Sequence, residues 1–471
     1  MPLRAKVTNP AFRATATMST STEIPRELPG DEPDDVLFHS HYGVRLIELN
    51  RPKKLNSLNG SMARKILPRL KEWEKSDLAN IVMVSGAGEK ALCAGGDVAA
   101  LALQNEKGPE GQQASSNFFG LEYRLDHAIA TYSKPFISVM DGITMGGGVG
   151  LSVHAPFRIA TERTVFAMPE TTIGFFPDVG GSFFLPRLDG EVGTYLALTS
   201  ERLSGVQALY AGVATHYLHS SALGNLTARL SELVFRDYAS LEDRLDLVNK
   251  TVAEFSMGVP SLHEEPILLA GSLRNAIDRC FCHNTVEEIF RALESEKERR
   301  EWAQKTLETL SARSPTSLKV ALRALRVGKK WNIAETFQRE HHIASKFMQH
   351  PDFVEGVKAR LMSKPPRQAT WQPATLEEVT TEMVNDFFSI PEGKARLPLL
   401  SEGNYEAYPY SYGLPSEELI EKLVRGDSDA KGFKVNDFVS KWGGKEGVRE
   451  KVAEVLARRT VRTPEGLRWS E

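Results

Sequence analysis

The chain has 471 residues, of which 41% are hydrophobic and 25% are charged, a globular composition with room for one large domain and smaller additions. Its formal net charge of -3 gives no global field that would attract nucleic acid or an anionic membrane. Its three cysteines cannot build a secreted disulfide framework, and its apolar runs are shorter than the roughly 18 residues of a membrane span. We expect neither DNA nor a membrane as a partner.

The N-terminus differs in composition from the rest of the chain. Arg4, Lys6 and Arg13 occur among serine, threonine and alanine, and no acidic residue precedes Glu23. This pattern is typical of a mitochondrial transit peptide, although a short N-terminus without a targeting role is the alternative. Residues 25–35, rich in proline and acidic side chains, read as a linker. We therefore assign residues 1–35 to a transit peptide and linker, and expect the protein in the mitochondrial matrix.

The next part of the chain alternates between strand and helix patterns. Residues 44–49, 81–85 and 136–140 are short apolar runs, often β-branched, that predict buried strands. Between them lie two helical faces, and strands that alternate with helices predict an α/β fold with a parallel sheet. The first face comprises Met62, Ile66, Leu70 and Trp73 behind an N-terminal cap at Asn59, and the second comprises Phe118, Leu121, Leu125 and Ile129.

Beyond Gly190 the pattern becomes mostly helical, with helices expected over residues 196–209 and 286–310. The prolines between residues 365 and 373 indicate an ending or a hinge. The remaining residues, 374–471, contain a Tyr- and Pro-rich run at 405–415 and a terminal helical pattern. That pattern places Val448, Val452, Val455 and Leu456 on one helical face.

Two glycine-rich turns are candidates for binding an anion. Residues 93–97 include Gly95 and Gly96, and residues 145–150 include Gly146 and Gly147. Glycine allows backbone N–H groups to approach a ligand closely, and two such donors can form an oxyanion hole. The alternative for each turn is a purely structural role.

Two acidic residues in an apolar segment are candidates for the chemistry. Glu170 and Asp178 are flanked by Met168, Phe175 and Phe176. A carboxyl group among apolar side chains tends to have a raised pKa, which suits acid–base or nucleophilic catalysis. Two ordinary loop acids are the alternative. The Gly-x-Ser-x-Gly motif of serine thioesterases is absent from the sequence.

The segment from Lys134 to Pro186, with its glycine run and both acids, resembles the crotonase, or enoyl-CoA hydratase/isomerase, superfamily. The resemblance extends over residues 36–373 and includes the segments 50–53 and 350–357. It implies a crotonase-like ββα spiral core at about 36–220 and a C-terminal helical region at about 221–373. Residues 374–471 form an additional tail beyond that domain, the C-terminal extension.

The resemblance also implies roles for individual residues. The amides of Gly96 and Gly147 would hold the thioester oxygen of an acyl-CoA substrate. Glu170 would attack the carbonyl carbon or activate water, and the sequence leaves both routes open. Asp178 would orient Glu170 and the substrate, and Glu122 would bind the acyl group. Neither a metal nor a redox cofactor is expected, because coenzyme A is part of the substrate.

Departures from the hydratase pattern indicate the type of activity. Hydratases have a catalytic glutamate where this chain has Gly150, and glycine where it has Asp178. The chain is therefore most similar to the 3-hydroxyisobutyryl-CoA hydrolases of valine catabolism. An enoyl-CoA hydratase or isomerase, and a scaffold that has lost activity, are the alternatives. A homo-oligomer is compatible with the resemblance.

The C-terminal extension resembles extensions of fungal homologues, some of which are similar to components of the mitochondrial small ribosomal subunit. Arg458, Arg459 and Arg462 could contact RNA, or could be the solvated end of a helix. Every residue with an assigned chemical role lies between Gly96 and Asp178. Deletion of residues 380–471 is therefore expected to leave thioester hydrolysis largely intact.

Overall fold

The structure of the protein is a computed structural model. It describes residues 23–236, 238–393, 395–426, 435–463 and 466–470. Residues 1–22 of the predicted transit peptide and linker lie outside them. Along these described ranges, no helix is both long and apolar enough to cross a membrane.

The strands belong to two larger sheets and a hairpin. The six-stranded sheet has the order β1-β2-β3-β5-β7-β10, and the four-stranded sheet has the order β4-β6-β8-β9. All neighbouring pairs in both sheets are parallel except β1 with β2 and β8 with β9. In chain order the strands are β1 (Val36–His41), β2 (Val44–Leu49), β3 (Ile81–Gly86), β4 (Ala91–Cys93), β5 (Phe136–Met140), β6 (Ile143–Met145), β7 (Phe157–Ala160), β8 (Val165–Ala167), β9 (Leu203–Ser204), β10 (His216–Tyr217), and the hairpin β11 (Thr460–Thr463) and β12 (Gly466–Trp469).

The three strands predicted from the sequence are confirmed as β2, β3 and β5. They lie side by side in the larger sheet, where β2 pairs with β3 and β3 pairs with β5, each in parallel. Every residue of β5 is buried, as expected for a parallel strand covered on both faces. The α/β class is therefore confirmed.

Helices surround the sheets and dominate the second half of the chain. They are α1 (Gly60–Lys75), α2 (Val98–Asn105), α3 (Pro109–Ala130), α4 (Gly147–Val153), α5 (Gly181–Phe184), α6 (Val192–Thr199), α7 (Gln207–Tyr210), α8 (Leu223–Ser231), α9 (Leu241–Ala253), α10 (Gly271–Phe281), α11 (Val286–Ser295), α12 (Arg300–Ser311), α13 (Pro315–Gly328), α14 (Ile333–Phe347), α15 (Pro351–Val357), α16 (Thr381–Phe388), α17 (Glu417–Gly426), α18 (Val435–Lys441) and α19 (Val448–Arg459).

Helix α1 forms where its sequence predicted it. The side chain of Asn59 accepts a hydrogen bond of 2.8 Å from the amide of Met62 and caps the helix. All four residues of the predicted apolar face are buried in the core beneath the larger sheet.

Helix α3 is more deeply buried than its sequence pattern indicated. Leu125 and Ile129 are buried as predicted. Glu122, Tyr123 and Asp126 are buried as well, although they do not belong to the predicted apolar face. The helix therefore carries polar groups into the interior of the protein.

The predicted helices over 196–209 and 286–310 are each interrupted. A continuous helix over 196–209 is wrong, because the helix ends before Ser200, which adopts a left-handed conformation with φ of 61°. Leu203 then belongs to a strand and pairs with Phe166 in the smaller sheet. The second stretch forms α11 and α12, with an extended residue, Glu296, at the end of α11.

The end of the C-terminal extension forms a small cluster of its own. Helix α19 occurs where the sequence predicted a terminal helix, and its four apolar residues pack with Ile420, Phe438 and Trp469. The cluster is joined to the main core by ion pairs, including one of 2.7 Å between Lys451 and Asp189. Between this cluster and α16 lies the strap, which we define as residues 397–412. Its tyrosines pack on the main core, as the Tyr-rich run suggested.

Candidate active site

The two glycine turns meet because their strands are neighbours. The turns directly follow the short strands β4 and β6 of the smaller sheet, not the predicted strands β3 and β5 of the larger sheet. These strands are parallel, with Cys93 opposite Thr144, so both chains leave the sheet at the same edge. The turn after β4 contains Gly95 and Gly96, and the turn after β6 leads into α4 at Gly147.

The two turns lie close enough together for an amide from each to donate a hydrogen bond to the same ligand atom. A β-carbon placed on Gly147 would lie 3.4 Å from the amide nitrogen of Gly96. A β-carbon on Gly146 would lie 3.3 Å from the α-carbon of Gly95. Gly146 has a φ of 46°, in the left-handed region that favours glycine. At Gly146, both the backbone conformation and the close approach of the first turn therefore favour a residue without a side chain.

Glu170 lies at the start of a 3-10 turn that follows β8. Its side chain faces the second glycine turn, because a β-carbon on Gly146 would lie 3.1 Å from its Oε1 atom. Oε2 of Glu170 is buried and has no hydrogen-bond partner within the described ranges. Burial, reinforced by the charge of Asp178, raises the pKa of Glu170 well above its usual value.

Asp178 is buried on the loop between that turn and α5. Tyr123 of α3 donates a hydrogen bond of 2.5 Å to Oδ2 of Asp178. Burial raises the pKa of Asp178 to about 7, against the effect of this hydrogen bond, which favours the carboxylate. Burial thus favours the neutral form of Asp178, whereas the hydrogen bond from Tyr123 favours its carboxylate.

Glu122 projects from α3 toward the glycine turns. A β-carbon on Gly147 would lie only 2.4 Å from its Oε1 atom, so the absence of a side chain there leaves room for the carboxyl group. Burial, followed by the charge of Asp178, raises the pKa of Glu122 well above its usual value. Three acids with raised pKa values thus share one site.

Asp126, one helical turn after Glu122, was missed by the sequence reasoning. Both of its carboxyl oxygens are buried without a hydrogen-bond partner among the described residues. Burial, followed by the charge of Glu122, raises its pKa well above the usual range. A β-carbon on Gly150 would lie 2.6 Å from Oδ2 of Asp126. At Gly150, where hydratases have a catalytic glutamate, this chain instead has the carboxyl group of Asp126 packed against the backbone.

All five predicted site residues line one cavity of about 450 Å³. The structure thus brings Gly96, Glu122, Gly147, Glu170 and Asp178 together, although they are spread over 83 positions of the chain. In the described part of the chain, no group of three or more histidine, cysteine or acidic residues is arranged to hold a metal ion.

Three arginines that the sequence reasoning did not identify line the same cavity: Arg202, Arg313 and Arg360. Arg313 donates a hydrogen bond of 2.7 Å to the carbonyl oxygen of Thr199, and burial lowers its pKa to about 10. Guanidinium groups suit phosphate oxygens, so the cavity combines an acidic part with groups able to bind a phosphorylated ligand.

Comparison with known proteins agrees with this architecture. Residues 44–388 match the family described as Enoyl-CoA hydratase/isomerase. The chain is 52% identical to small ribosomal subunit protein mS47 of Neurospora crassa, over 100% of this chain and 94% of that protein. It is 43% identical to the mitochondrial 3-hydroxyisobutyryl-CoA hydrolase of Gallus gallus, over 78% of this chain and 92% of that protein.

Among solved structures, a carnitinyl-CoA dehydratase from Mycobacterium thermoresistibile is 35% identical, with a TM-score of 0.67, and covers 78% of this chain and 100% of its own. An enoyl-CoA hydratase from Rhodobacter sphaeroides is 31% identical, with a TM-score of 0.65 and the same coverage of both chains. The crotonase-like fold expected from the sequence is thereby confirmed. The chain belongs to the enoyl-CoA hydratase/isomerase, or crotonase, superfamily.

Proposed function

We propose that the protein hydrolyses the thioester of 3-hydroxyisobutyryl-CoA, and of related hydroxyacyl-CoAs, to the free acid and coenzyme A. The observation that carries this proposal is the arrangement of Glu122, Glu170 and Asp178 around the two glycine turns, with no acid at position 150. The relatives named 3-hydroxyisobutyryl-CoA hydrolase support it.

In this proposal the amides of Gly96 and Gly147 donate to the thioester oxygen and stabilise the negative charge that develops on it. Such donors typically contribute about 3 kcal/mol of transition-state stabilisation each. The chemistry requires that Glu170 be ionised. Its carboxylate then either attacks the carbonyl carbon or takes a proton from the attacking water.

The two routes differ in their bonds. In the nucleophilic route a bond forms between Glu170 and the acyl carbon, the carbon–sulfur bond breaks, and the thiolate of coenzyme A leaves and takes up a proton. Water then cleaves the resulting anhydride. In a single turnover in ¹⁸O-labelled water, label in the Glu170 carboxylate would demonstrate the nucleophilic route, with water attacking the Glu170 carbonyl of the anhydride; label in the product acid alone is compatible with both routes.

Recognition of the two ends of the substrate is assigned to different parts of the cavity. Glu122 would accept a hydrogen bond from the acyl hydroxyl, which gives more selectivity than methylene contacts can provide. Arg202, Arg313 and Arg360 would bind the phosphates of coenzyme A. No metal or redox cofactor is needed for the proposed reaction.

The assay is the release of free thiol from a panel of acyl-CoAs. We expect the highest kcat/KM with 3-hydroxyisobutyryl-CoA and a value lower by roughly 100-fold or more with isobutyryl-CoA, which lacks the hydroxyl. An absence of thiol release from every hydroxyacyl-CoA would refute the proposal. Equal rates with both substrates would refute the role of Glu122.

A second function is supported by the relatives named small ribosomal subunit protein mS47, one of which aligns with the whole chain. We propose that the protein also associates with the mitochondrial small ribosomal subunit. The structure does not leave Arg458 free for RNA, because its buried side chain pairs with Glu417 at 2.7 Å and Glu454 at 2.8 Å. Arg459 also pairs with Glu417, at 2.9 Å.

Cofractionation of the full-length protein with mitochondrial small subunits, at low and high salt, tests this association. Retention at high salt would support a stable component of the subunit. Migration as free protein at both salt concentrations would exclude the second function and would leave the hydrolase proposal unaffected.

A further inference from the structure

The loop that carries Asp178 continues into a backbone turn with unusual geometry. Val179 has a φ of 52° and Gly180 a φ of 82°, both in the left-handed region. A β-branched residue rarely adopts this conformation, which persists only where surrounding contacts enforce it. The position of Asp178 therefore depends on the groups that hold this turn.

Two buried side chains contact the turn: His154, which precedes it in the sequence, and Glu340, which follows it. Glu340 of α14 accepts hydrogen bonds from the amides of Gly180, at 2.7 Å, and Ser182, at 2.8 Å. His154 follows α4 and contacts the carbonyl oxygen of Val179 through Nε2, at 2.9 Å. A β-carbon on Gly180 would lie 2.2 Å from the same ring nitrogen, so the imidazole packs directly against the turn.

The hydrogen bonds of His154 fix its tautomer. A carbonyl oxygen can only accept, so Nε2 of His154 carries the hydrogen. Burial lowers the pKa of His154 to about 4, so the ring is neutral and Nδ1 is an acceptor. The hydroxyl of Tyr408 lies 3.0 Å from Nδ1 and is therefore the donor.

Tyr408 belongs to the strap, which lies beyond residue 388, where the match to the family ends. Its ring packs edge-on against Phe183 of α5, with centroids 5.1 Å apart. The strap also contacts helix α14, because the carbonyl oxygen of Tyr405 accepts a hydrogen bond of 3.0 Å from the amide of Ile333. The strap thus contacts both His154 and the helix that supplies Glu340.

We infer that Tyr408 is a positioning residue for hydrolysis: its hydroxyl orients His154, which holds the Val179 carbonyl and thereby places Asp178. The inference rests on the proposed hydrolase function. It makes the C-terminal extension part of the support of the active site. It therefore reverses, for the strap, the sequence-based expectation that residues 380–471 are dispensable for hydrolysis.

The test compares Tyr408→Phe with the matched control Tyr405→Phe in the full-length protein. Both variants keep an aromatic ring in the same cluster, but the buried hydroxyl of Tyr405 has no hydrogen-bond partner among the described residues. We expect Tyr408→Phe to lower kcat about tenfold with KM within about twofold, because misplacement of a catalytic group affects the chemical step more than binding. Tyr405→Phe is expected to match the wild type.

A second readout follows the turn itself. Hydrogen–deuterium exchange at the amides of residues 180–182 should be faster in Tyr408→Phe than in Tyr405→Phe. Exchange within α1 serves as the internal reference, since a general loss of stability would accelerate both regions. The exchange measurement needs no substrate, so it tests the contact even if the wild type releases no thiol and the hydrolase proposal fails.

Each outcome decides the inference. Lower kcat together with faster exchange at 180–182 supports it. Unchanged exchange overturns the proposed contact path, whatever happens to kcat. Faster exchange with normal kcat overturns the positioning role and leaves a purely structural contact.

Discussion

The hydroxyl of Tyr123 donates a hydrogen bond of 2.5 Å to Oδ2 of Asp178, the acid whose pKa burial raises to about 7. This hydrogen bond favours the carboxylate and so opposes the effect of burial. Because Glu170 and Asp178 interact, their protons leave in steps that belong to the pair.

The first prediction concerns pH. Hydrolysis needs ionised Glu170, whose pKa is also raised, so kcat/KM should fall as pH decreases over a range above the pKa of an ordinary glutamate. Tyr123→Phe removes the hydrogen bond that favours ionised Asp178; because a protonated Asp178 no longer repels the charge on Glu170, this acid limb should move to lower pH. Tyr132→Phe is the control, because Tyr132 donates instead to the carbonyl oxygen of Leu70. An acid limb at or below about pH 5, the range of ordinary carboxyl groups, would contradict the prediction.

Glu170→Gln should abolish hydrolysis while leaving the fold and the binding of coenzyme A nearly intact. The amide keeps the volume of the side chain but is neither a base nor a nucleophile. We expect kcat to fall by at least about 100-fold. Exposed Glu110 provides the control substitution Glu110→Gln. Retention of more than about a tenth of wild-type kcat would show that Glu170 is not the essential group.

Gly147→Val should lower kcat far more than it lowers the melting temperature. A β-carbon at this position would lie 2.4 Å from Oε1 of Glu122 and would crowd the site of the thioester oxygen. We expect a loss of about 100-fold in kcat. The control is Gly224→Val, because a β-carbon on Gly224 meets nothing within 4 Å. Normal turnover by a soluble Gly147→Val protein would place the oxyanion hole elsewhere.

Glutamate at position 150 should not create an efficient hydratase. The β-carbon of Gly150→Glu would lie 2.6 Å from Oδ2 of Asp126, so the new carboxyl group enters space already next to a buried acid. The rate of crotonyl-CoA hydration, measured as the decrease in enoyl-thioester absorbance, should stay near background in the wild type and in the variant. Efficient hydration by the wild type would instead favour the hydratase alternative.

The sequence predicted the strands and the capped helix α1 because local patterns determine them. It could not predict that Glu122 and Asp126 are buried, since acids in a helix normally face solvent and their burial depends on distant packing. Glu340 was missed for the same reason, as it binds the amide of a residue 160 positions away. Local patterns indicated the two glycine turns and the acids Glu170 and Asp178, whereas Glu122 and the roles of all five site residues came from the family resemblance, and those roles remain predictions.

The last prediction uses Asp126 to test whether a buried, unpartnered acid destabilises the protein at high pH. Its pKa is raised above the unfolded value, so between the unfolded and folded pKa values the folded state must retain a proton that the unfolded state releases. Stability is therefore lost as pH rises through this range, by up to about 1.4 kcal/mol per pH unit. Asp126→Asn does not titrate and should raise the melting temperature more at pH 8 than at pH 5, relative to the wild type.

Asp243→Asn provides a contrast of opposite sign. Hydrogen bonds from Ser240 lower the pKa of exposed Asp243, so its carboxylate stabilises the protein above the unfolded pKa and the stabilisation is lost as pH falls through the folded pKa. That substitution should therefore lower the melting temperature at pH 8 rather than raise it. If Asp126→Asn changed the melting temperature equally at both pH values, Asp126 would not be titrating as a buried acid with a raised pKa.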